Sequence, residues 1–318
     1  MGEERIPVGQ QLKYLGVVLD SRLKYEAHFS QLMPRVERVT QNLGRLMPNV
    51  RGPKEKTRHL YAAVANSMTL YGAPVWAMSG NLTRKNIKML RGLQRRLAIR
   101  VIRGYRTVSE EAAITLAGMT PWDHLAKAYA RAYREIREKG DLETQEEERI
   151  KQRALLQARN EWRSELESEE ATRSRAVLAI LPSWELWANK GPAKLTFRVT
   201  QVLTGHGCFG EYLRRIEAEE TASCHHCPES VDSAQHTVEV CEAFSEQRRK
   251  LAEAIGPDLS PVSLAKALLE EGRKNEAVVS YCEEVLNLKE AAERERERVI
   301  PGRKRRRRHR PPNTAADE

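Results

Sequence analysis

Residues 224–241 read CHHCPESVDSAQHTVEVC, which places Cys224, Cys227, His236 and Cys241 in a C-x2-C-x8-H-x4-C frame. Thiolates and imidazoles are the ligands that zinc prefers, and four of them close a tetrahedral shell without leaving a position for a catalytic water. The alternative is that reduced cysteines and one histidine fall at this spacing by chance. Because all four ligands are present, we predict a structural Zn2+ site that holds a small loop rigid and does no chemistry itself.

The composition of the whole chain favours a polyanionic partner. Its 318 residues carry a formal net charge of +10, and 31% of them are charged. Net charge by itself does not separate nucleic acid from an anionic membrane surface. However, no apolar run approaches the length of a membrane span, and the first ten residues lack the apolar core of a signal peptide. We therefore expect an intracellular protein that binds no membrane, with Cys208 and Cys282 as free thiols.

Apolar spacing outside the zinc frame predicts a mostly α-helical fold. One strand is expected at 11–20, followed by helices at about 25–46, 54–70, 83–103, 109–118 and 122–138. More than half of residues 134–170 are charged, with mixed signs that favour a long solvated helix over a flexible linker. A second module begins near residue 181, includes the zinc frame, and ends with helices at about 261–271 and 276–298.

Two groups of basic residues are candidate nucleic-acid contacts, because phosphate binding needs several cations along one surface. For the group on the helix at 83–103, an ordinary solvated face is an equal alternative. The C-terminal run is too densely charged to fold on itself and indicates a nuclear import signal, a nucleic-acid arm or both, with an uninvolved tail as the alternative. The predicted contacts are Arg91, Arg95, Arg96, Arg100 and Arg103 in the helix, and Arg303, Lys304, Arg305, Arg306, Arg307, Arg308 and Arg310 in the tail.

Three aromatic residues near the start of the second module are candidates for stacking on bases. They are Trp184, Trp187 and Phe197. Aromatic residues at the entry to a helical module more often belong to the core, which is the interpretation we favour.

No residue of the chain is assigned a catalytic role. A polymerase needs clustered carboxylates to hold two metal ions, and the six aspartates of this sequence are scattered. The nearest approach to a nuclease pattern is Asp258 with Glu270 and Glu271, but the spacing to Lys274 is wrong. Asp258 and Ser260 fit the start of a helix better. DNA cleavage around Asp258 is kept as an alternative function.

Several segments, in this order, resemble the C-terminal part of non-LTR retrotransposon reverse transcriptases. The similarity is to the type-1 class of insect elements, which insert into ribosomal RNA genes, and it extends from about residue 11 to residue 300. The matching segments are Tyr14-Leu15-Gly16-Val17 with Leu19-Asp20, Leu70-Tyr71-Gly72-Ala73-Pro74-Val75-Trp76, Tyr105 to Ala113 with Leu116-Ala117-Gly118, Thr204-Gly205-His206-Gly207, the zinc frame, and Lys289-Glu290 with Glu293-Arg294.

The resemblance implies a Pol polyprotein with reverse transcriptase and endonuclease activities, of which this chain is the C-terminal piece. In that family the endonuclease and the polymerase aspartates lie upstream, so Mg2+ serves only a polymerase domain that is absent here. The implied domains are the end of the palm at 1–24, a thumb-like helical domain at 25–138, a charged helix or linker at 139–180, a zinc-knuckle nucleic-acid-binding module at 181–300 and a disordered basic tail at 301–318.

The resemblance also implies partners and a location. The expected partners are element RNA and ribosomal target DNA, bound during target-primed reverse transcription, together with the upstream polymerase and endonuclease domains of the same polyprotein. The expected location is the nucleus, with a cytoplasmic ribonucleoprotein stage. A domesticated zinc protein that binds other proteins is a further alternative.

Overall fold

The computed structural model describes residues 9–78, 82–168, 174–192 and 194–299, and this part of the chain is mostly α-helical, as predicted. Two short antiparallel strands, β1 (Gln11–Tyr14) and β2 (Val17–Asp20), precede the helices. The helices are α1 (Glu26–Arg45), α2 (Glu55–Leu70), α3 (Ala73–Trp76), α4 (Arg84–Val101), α5 (Glu110–Leu116), α6 (Trp122–Lys139), α7 (Thr144–Leu166), α8 (Arg175–Ile180), α9 (Trp184–Lys190), α10 (Phe197–Thr204), α11 (Gly210–Arg215), α12 (Ala234–Glu239), α13 (Ser245–Ile255), α14 (Pro261–Leu269) and α15 (Arg273–Val299).

The prediction of one strand at 11–20 is wrong, because the segment turns back on itself as a hairpin. Leu15 and Gly16 form the turn with φ angles of 44° and 85°. Glycine adopts this left-handed conformation without the steric cost that other residues meet. The register pairs Tyr14 with Val17, so the apolar run is shared between an exposed strand β1 and a strand β2 that begins buried.

The helices predicted to start near residues 83 and 109 begin there, and each start has a side-chain cap. The Thr83 hydroxyl accepts a hydrogen bond from the Asn86 backbone N–H at 3.2 Å and caps α4. The Ser109 hydroxyl accepts one from the Ala112 backbone N–H at 3.2 Å and caps α5. Such caps satisfy backbone donors that have no partner inside the helix, which is why these residues mark where it begins.

The charged segment after residue 138 folds back along the preceding helix. Gly140 ends α6 with a φ of 79°, and α7 then packs against α6. The buried side of α7 consists of Ile150, Ala154, Ala158 and Trp162, which follow each other at intervals of four residues. The predicted charged helix therefore exists, but it is only half solvated, because a narrow stripe of apolar residues joins it to α6.

One hydrophobic core extends from the first helices into the second half of the chain. Helix α8 packs against α5 and α14. The fully buried Trp187 donates its indole N–H to the Thr115 carbonyl at 3.1 Å, and the Thr200 hydroxyl donates to the Ile102 carbonyl at 2.6 Å. Trp184 is buried as well, so the core interpretation of these two tryptophans is confirmed.

Membrane insertion has no support among the described helices. None of them combines the length and the apolar composition needed to cross a bilayer.

Candidate metal centre

The four predicted zinc ligands converge on one point. Their ligand atoms all lie within 4.8 Å of one another. The Sγ atoms of Cys224 and Cys241 are 3.9 Å apart, and Cys227 Sγ lies 3.3 Å from His236 Nε2. In a tetrahedral zinc shell the ligand atoms are separated by about 3.5–3.8 Å, given Zn–S near 2.3 Å and Zn–N near 2.0 Å. The four side chains therefore form a cluster within metal-binding distance, and three sulfurs with one imidazole nitrogen are the donor set of a structural zinc site.

Local hydrogen bonds position both halves of this centre. The His226 backbone N–H donates to Cys224 Sγ at 3.4 Å, which orients the first sulfur. The Ser233 hydroxyl caps α12 by accepting from the His236 backbone N–H at 2.9 Å, so the histidine enters on the first turn. The Cys241 backbone N–H donates to the His236 carbonyl at 2.9 Å and brings the last ligand back beside the helix. The x4 spacing between His236 and Cys241 is therefore explained by this backbone hydrogen bond, which returns the chain to the histidine.

Burial controls the chemistry of the thiols. Cys241 is fully buried, and Cys224 and His236 are 8% exposed. Burial raises the pKa of Cys224, and burial together with the neighbouring Cys224 raises the pKa of Cys241 to about 12. The metal-free thiols of Cys224 and Cys241 are therefore protonated at neutral pH, and binding of a metal ion would release their protons. This is the behaviour of inert structural ligands rather than of reactive cysteines.

A buried ion pair attaches the zinc loop to α15. Lys289 Nζ lies 2.8 Å from both carboxylate oxygens of Asp232, and both side chains are nearly inaccessible to water. The same carboxylate accepts from the Gly210 backbone N–H at 3.0 Å and from the Thr237 hydroxyl at 3.1 Å. Gly210 is required here because a Cβ atom would lie 2.4 Å from the Ala222 carbonyl oxygen. Asp232 therefore joins α11, α12 and α15 around the metal centre.

Most of the predicted arginine contacts on α4 bind other groups of the protein. Arg91 bonds to both carboxylate oxygens of Asp123 at 2.9 Å and to Glu165 at 2.9 Å. Burial opposes the ionisation of Glu165, but hydrogen bonds from His124 and Arg91 outweigh it and lower the pKa of Glu165 to about 2. Arg91 thus connects α4 to α6 and α7.

Two further arginines of this group hold backbone segments. Arg95 donates to the Val108 carbonyl at 2.9 Å, in the loop between α4 and α5. Arg103 donates to the Pro53 carbonyl at 2.9 Å and pairs with Glu55. These side chains stabilise the loops around the ends of α2 and α4 in the absence of any ligand.

The remaining predicted contacts differ in accessibility. Arg96 is about half exposed and pairs with Glu37 across α1 and α4 at 3.1 Å. Arg100 is partly buried, with its side chain beside Gly44 of α1. Nucleic-acid binding by the five α4 arginines stays a prediction. The predicted tail contacts lie outside the described residues: Arg303, Lys304, Arg305, Arg306, Arg307, Arg308 and Arg310.

Two known proteins of transposable elements align with most of this chain. A retrovirus-related Pol polyprotein from type-1 retrotransposable element R1 4 of Nasonia vitripennis is 27% identical over 260 residues, covering 79% of this chain and 65% of that protein. A putative 115 kDa protein in type-1 retrotransposable element R1DM of Drosophila melanogaster is 23% identical over 296 residues, covering 88% of this chain and 28% of that protein. This chain is a homologue of type-1 retrotransposon Pol polyproteins. The family resemblance inferred from the residues is confirmed.

This chain spans less than two thirds of the length of either relative, 65% of one and 28% of the other. No protein-family model matches the chain, and no solved structure matches it.

Asp258 lies at the start of helix α14. One of its carboxylate oxygens accepts from the Ser260 backbone N–H at 2.9 Å, and the other accepts from the Ser263 hydroxyl. These hydrogen bonds, with that from Ser263 the strongest, lower the pKa of Asp258. Ser260 caps α14, as the sequence predicted. Across residues 9–299, apart from the undescribed gaps, the cysteine–histidine cluster is the one group of three or more candidate metal ligands.

Sequence reasoning missed the buried charges that organise the fold. Arg58 is fully buried and donates to the carbonyls of Pro53 at 3.0 Å and Arg100 at 2.6 Å. Lys289 was noticed only within a family resemblance. The position of Lys289 in the sequence could have indicated its burial. It follows the buried Val285 at helical spacing, where an apolar residue is expected.

Proposed function

We propose that this chain is a nucleic-acid-binding C-terminal portion of a type-1 retrotransposon Pol polyprotein. In this proposal it holds element RNA or target DNA while the polymerase of the parent polyprotein copies the RNA at its insertion site. The homology to two type-1 element proteins supports the membership in such a polyprotein. The contact with nucleic acid rests on the charge distribution of the chain itself.

The observation that carries the proposal is a separation of charge between the two halves. Residues 25–138 contain 20 lysines and arginines against eight aspartates and glutamates. Residues 181–300 contain 15 basic against 21 acidic residues. Phosphate backbones are attracted by local positive potential rather than by the net charge of a whole chain. We therefore place the main contact on the thumb-like helices and not on the zinc module.

Helices α1 and α4 offer the most suitable surface for a phosphate backbone. They lie side by side, joined by ion pairs from Lys85 to Glu26 at 3.0 Å and from Arg96 to Glu37 at 3.1 Å. Lys88 lies one turn beyond Lys85 on the exposed side of α4. Because Lys85, Lys88 and Arg96 share one helix face, their cations can follow successive phosphates of a strand or duplex.

The zinc centre has a supporting role in this proposal. Cys224, Cys227, His236 and Cys241 would hold one Zn2+, which would supply a rigid cross-link and no catalytic step. Mg2+ would belong only to the polymerase domain of the parent polyprotein. The polybasic run after residue 302 would add a second cationic element and support a nuclear stage.

A salt titration tests the surface assignment. Fluorescence anisotropy would follow binding of a labelled 20-nucleotide RNA and of a DNA duplex, to the intact chain and to the double variant K88Q/R96Q. Each lost phosphate contact lowers the slope of log affinity against log salt by about 0.7–0.9, so the double variant should lower it by about 1.5. The matched control K250Q/K274Q removes two exposed cations from the zinc module and should leave the slope unchanged.

Two results would contradict this proposal. Affinity that does not respond to salt would favour the domesticated interaction protein, because phosphate contacts require counterion release. An equal loss of slope in K250Q/K274Q would show that binding is not localised on α1 and α4. Nicking of a plasmid by the intact protein with Mg2+, abolished in Asp258→Ala, would support the cleavage alternative instead.

A further inference from the structure

Helices α1 and α4 run side by side in the same direction, so both end on the same side of the protein. An ion pair joins Lys85 to Glu26 near their first turns, and the Arg100 side chain packs against Gly44 near their last turns. The unpaired carbonyls at the end of each helix carry about half a negative charge. Together the two ends place about one unit of negative charge at this point, which a nearby cation can offset.

Arg58 of α2 supplies that cation. Its side chain is fully buried and donates to the Arg100 carbonyl at 2.6 Å, at the end of α4. It also donates to the carbonyls of Met47 at 3.4 Å and of Pro48, just after α1, and to that of Pro53 at 3.0 Å. Within the described residues, Arg58 forms no ion pair with a carboxylate. One guanidinium is therefore enough to offset both helix ends.

Four further arginines, the arginine cluster, lie around this buried cation: Arg45, Arg51, Arg100 and Arg106. Arg45 lies in the last turn of α1, and the Arg51 carbonyl accepts from Arg58 at 3.5 Å. Burial and the nearby cation of Arg106 lower the pKa of Arg100. Arg45, Arg51 and Arg106 are exposed, and none of them forms an ion pair with a described carboxylate. The cluster therefore has cations in excess of the negative charge around it.

Glu55 lies beside Arg58, but this carboxylate is already paired. It forms an ion pair with Arg103 and accepts from the Leu195 backbone N–H at 3.3 Å. Burial and the cations of Arg103 and Arg100 lower the pKa of Arg58 to about 10, even though Glu55 opposes them. Positive charge is therefore crowded at the end of α4, and a surface with such a potential attracts polyanions.

The loop between α1 and α2 holds its part of the cluster in a fixed position. Arg51 and Gly52 adopt left-handed φ angles of 63° and 86°, and a Cβ atom on Gly52 would lie 2.8 Å from the Pro48 ring. The Asn49 side-chain amide donates to the Gly104 carbonyl at 3.3 Å, which joins this loop to the one after α4. A left-handed arginine is unfavourable and persists only where the surrounding structure enforces it. Arg51 is therefore presented by a preorganised backbone.

We propose that the arginine cluster binds successive phosphates of a nucleic-acid backbone. Guanidinium groups present N–H donors in a planar fork that matches phosphate oxygens. Arg100 follows Arg96 by one turn of α4, so the cluster continues the exposed face of α1 and α4 beyond their last turns. This inference rests on the proposed function for the identity of the ligand. It adds a second group of contacts, which lies in the loops at the helix ends.

The salt dependence of binding tests the nucleic-acid contact. Fluorescence anisotropy of the labelled RNA and DNA duplex would compare the intact chain with R51Q/R106Q. Two lost phosphate contacts should lower the slope of log affinity against log salt by about 1.5. The matched control R137Q/R273Q removes two exposed arginines, near the end of α6 and at the start of α15, that form no ion pair with a described carboxylate. It should leave the slope unchanged, and circular dichroism would show that both variants are folded.

Inorganic tripolyphosphate separates this inference from the proposed function. By isothermal titration calorimetry, K88Q/R96Q should bind it as the intact chain does. R51Q/R106Q should bind it at least about tenfold more weakly, because hydrogen bonds to charged groups are lost. Equal tripolyphosphate binding by the intact chain and R51Q/R106Q would overturn the site.

Two further outcomes distinguish the ligand. If R51Q/R106Q loses tripolyphosphate but keeps the slope for RNA and DNA, the cluster takes free polyphosphate, and its contact with nucleic acid is refuted. If the intact chain binds tripolyphosphate but neither RNA nor DNA, the proposed function fails while the phosphate site stands. A lower slope in R51Q/R106Q, together with weaker tripolyphosphate binding, supports both.

Discussion

The helical region at 25–138 and the region at 181–299, which contains the candidate zinc ligands, share one hydrophobic core but use charge in opposite ways. In the first region, Arg58 and Arg91 point inward, where they satisfy carbonyl and carboxylate oxygens. In the second, Lys289 points inward to the buried Asp232, whereas Glu217, Glu220 and Glu229 are exposed. The difference shows that an arginine-rich helix is not by itself a phosphate-binding surface. What matters is the charge that remains exposed after the internal partners are satisfied.

The two regions also differ in what holds them together. Apolar residues from several helices surround Trp76 and Leu97, which are fully buried in the first region. Residues 217–233 of the zinc module contain no helix or strand. A few backbone hydrogen bonds join this segment to itself, from Cys224 to Glu229 and from Asp232 to Ala222. The four candidate zinc ligands and the Asp232–Lys289 pair add side-chain cross-links. Substitutions in the two regions should therefore have local effects on stability that differ between the regions.

The largest expected effect comes from removing a zinc ligand. Cys241→Ser or Cys227→Ser should abolish stoichiometric zinc binding and unfold residues 216–245, because structural zinc contributes about 10–16 kcal/mol in small zinc peptides. Helices α1–α6 should keep their protection, since none of them supplies a ligand to the candidate metal centre. Zinc content by atomic absorption and hydrogen exchange would measure both. Cys208→Ser, a buried cysteine outside the cluster, is the control, and unchanged zinc content in Cys241→Ser would refute the ligand assignment.

An intermediate effect is expected from Lys289→Met. This change leaves Asp232 buried without its cation and should lower the free energy of unfolding by about 3–5 kcal/mol. Lys274→Met, on the same helix but in an exposed pair with Glu270, should cost less than about 0.5 kcal/mol. Urea denaturation would compare them. Similar losses in both variants would mean that the Lys289–Asp232 pair does not hold the module.

The smallest expected effect on stability distinguishes an arginine in a nearly buried ion pair from an exposed arginine on the same helix. Arg91→Ala should lower the free energy of unfolding by about 2–3 kcal/mol, because it leaves Asp123 nearly buried without a cation. Arg96→Ala should change it by less than about 0.5 kcal/mol, because its pair with Glu37 is exposed. Thermal or urea unfolding would measure both, and the comparison fails if Arg96→Ala is the more destabilising change.

Helix positions were predictable because their signals are local. Thr83 and Ser109 announce the starts of α4 and α5 by capping chemistry that involves only the next three residues. The hairpin at 11–20 was not predicted, because Leu15 and Gly16 form its turn inside an apolar run. These two left-handed residues lack the composition that usually marks a turn. The return of α7 along α6 was not predicted, because the five buried apolar residues of α7 are spread among charged ones.

By itself, the sequence determined the helical class, the four candidate zinc ligands and the relation to type-1 element proteins, since each depends on residue types at short spacing or on their order. Tertiary structure alone decided which charges are internal. Arg91 meets Asp123 from another helix, and Lys289 meets Asp232 across 57 positions of the chain. The free energy of a buried charge depends on the partner that folding brings to it, and that partner cannot be found by counting residues along the chain.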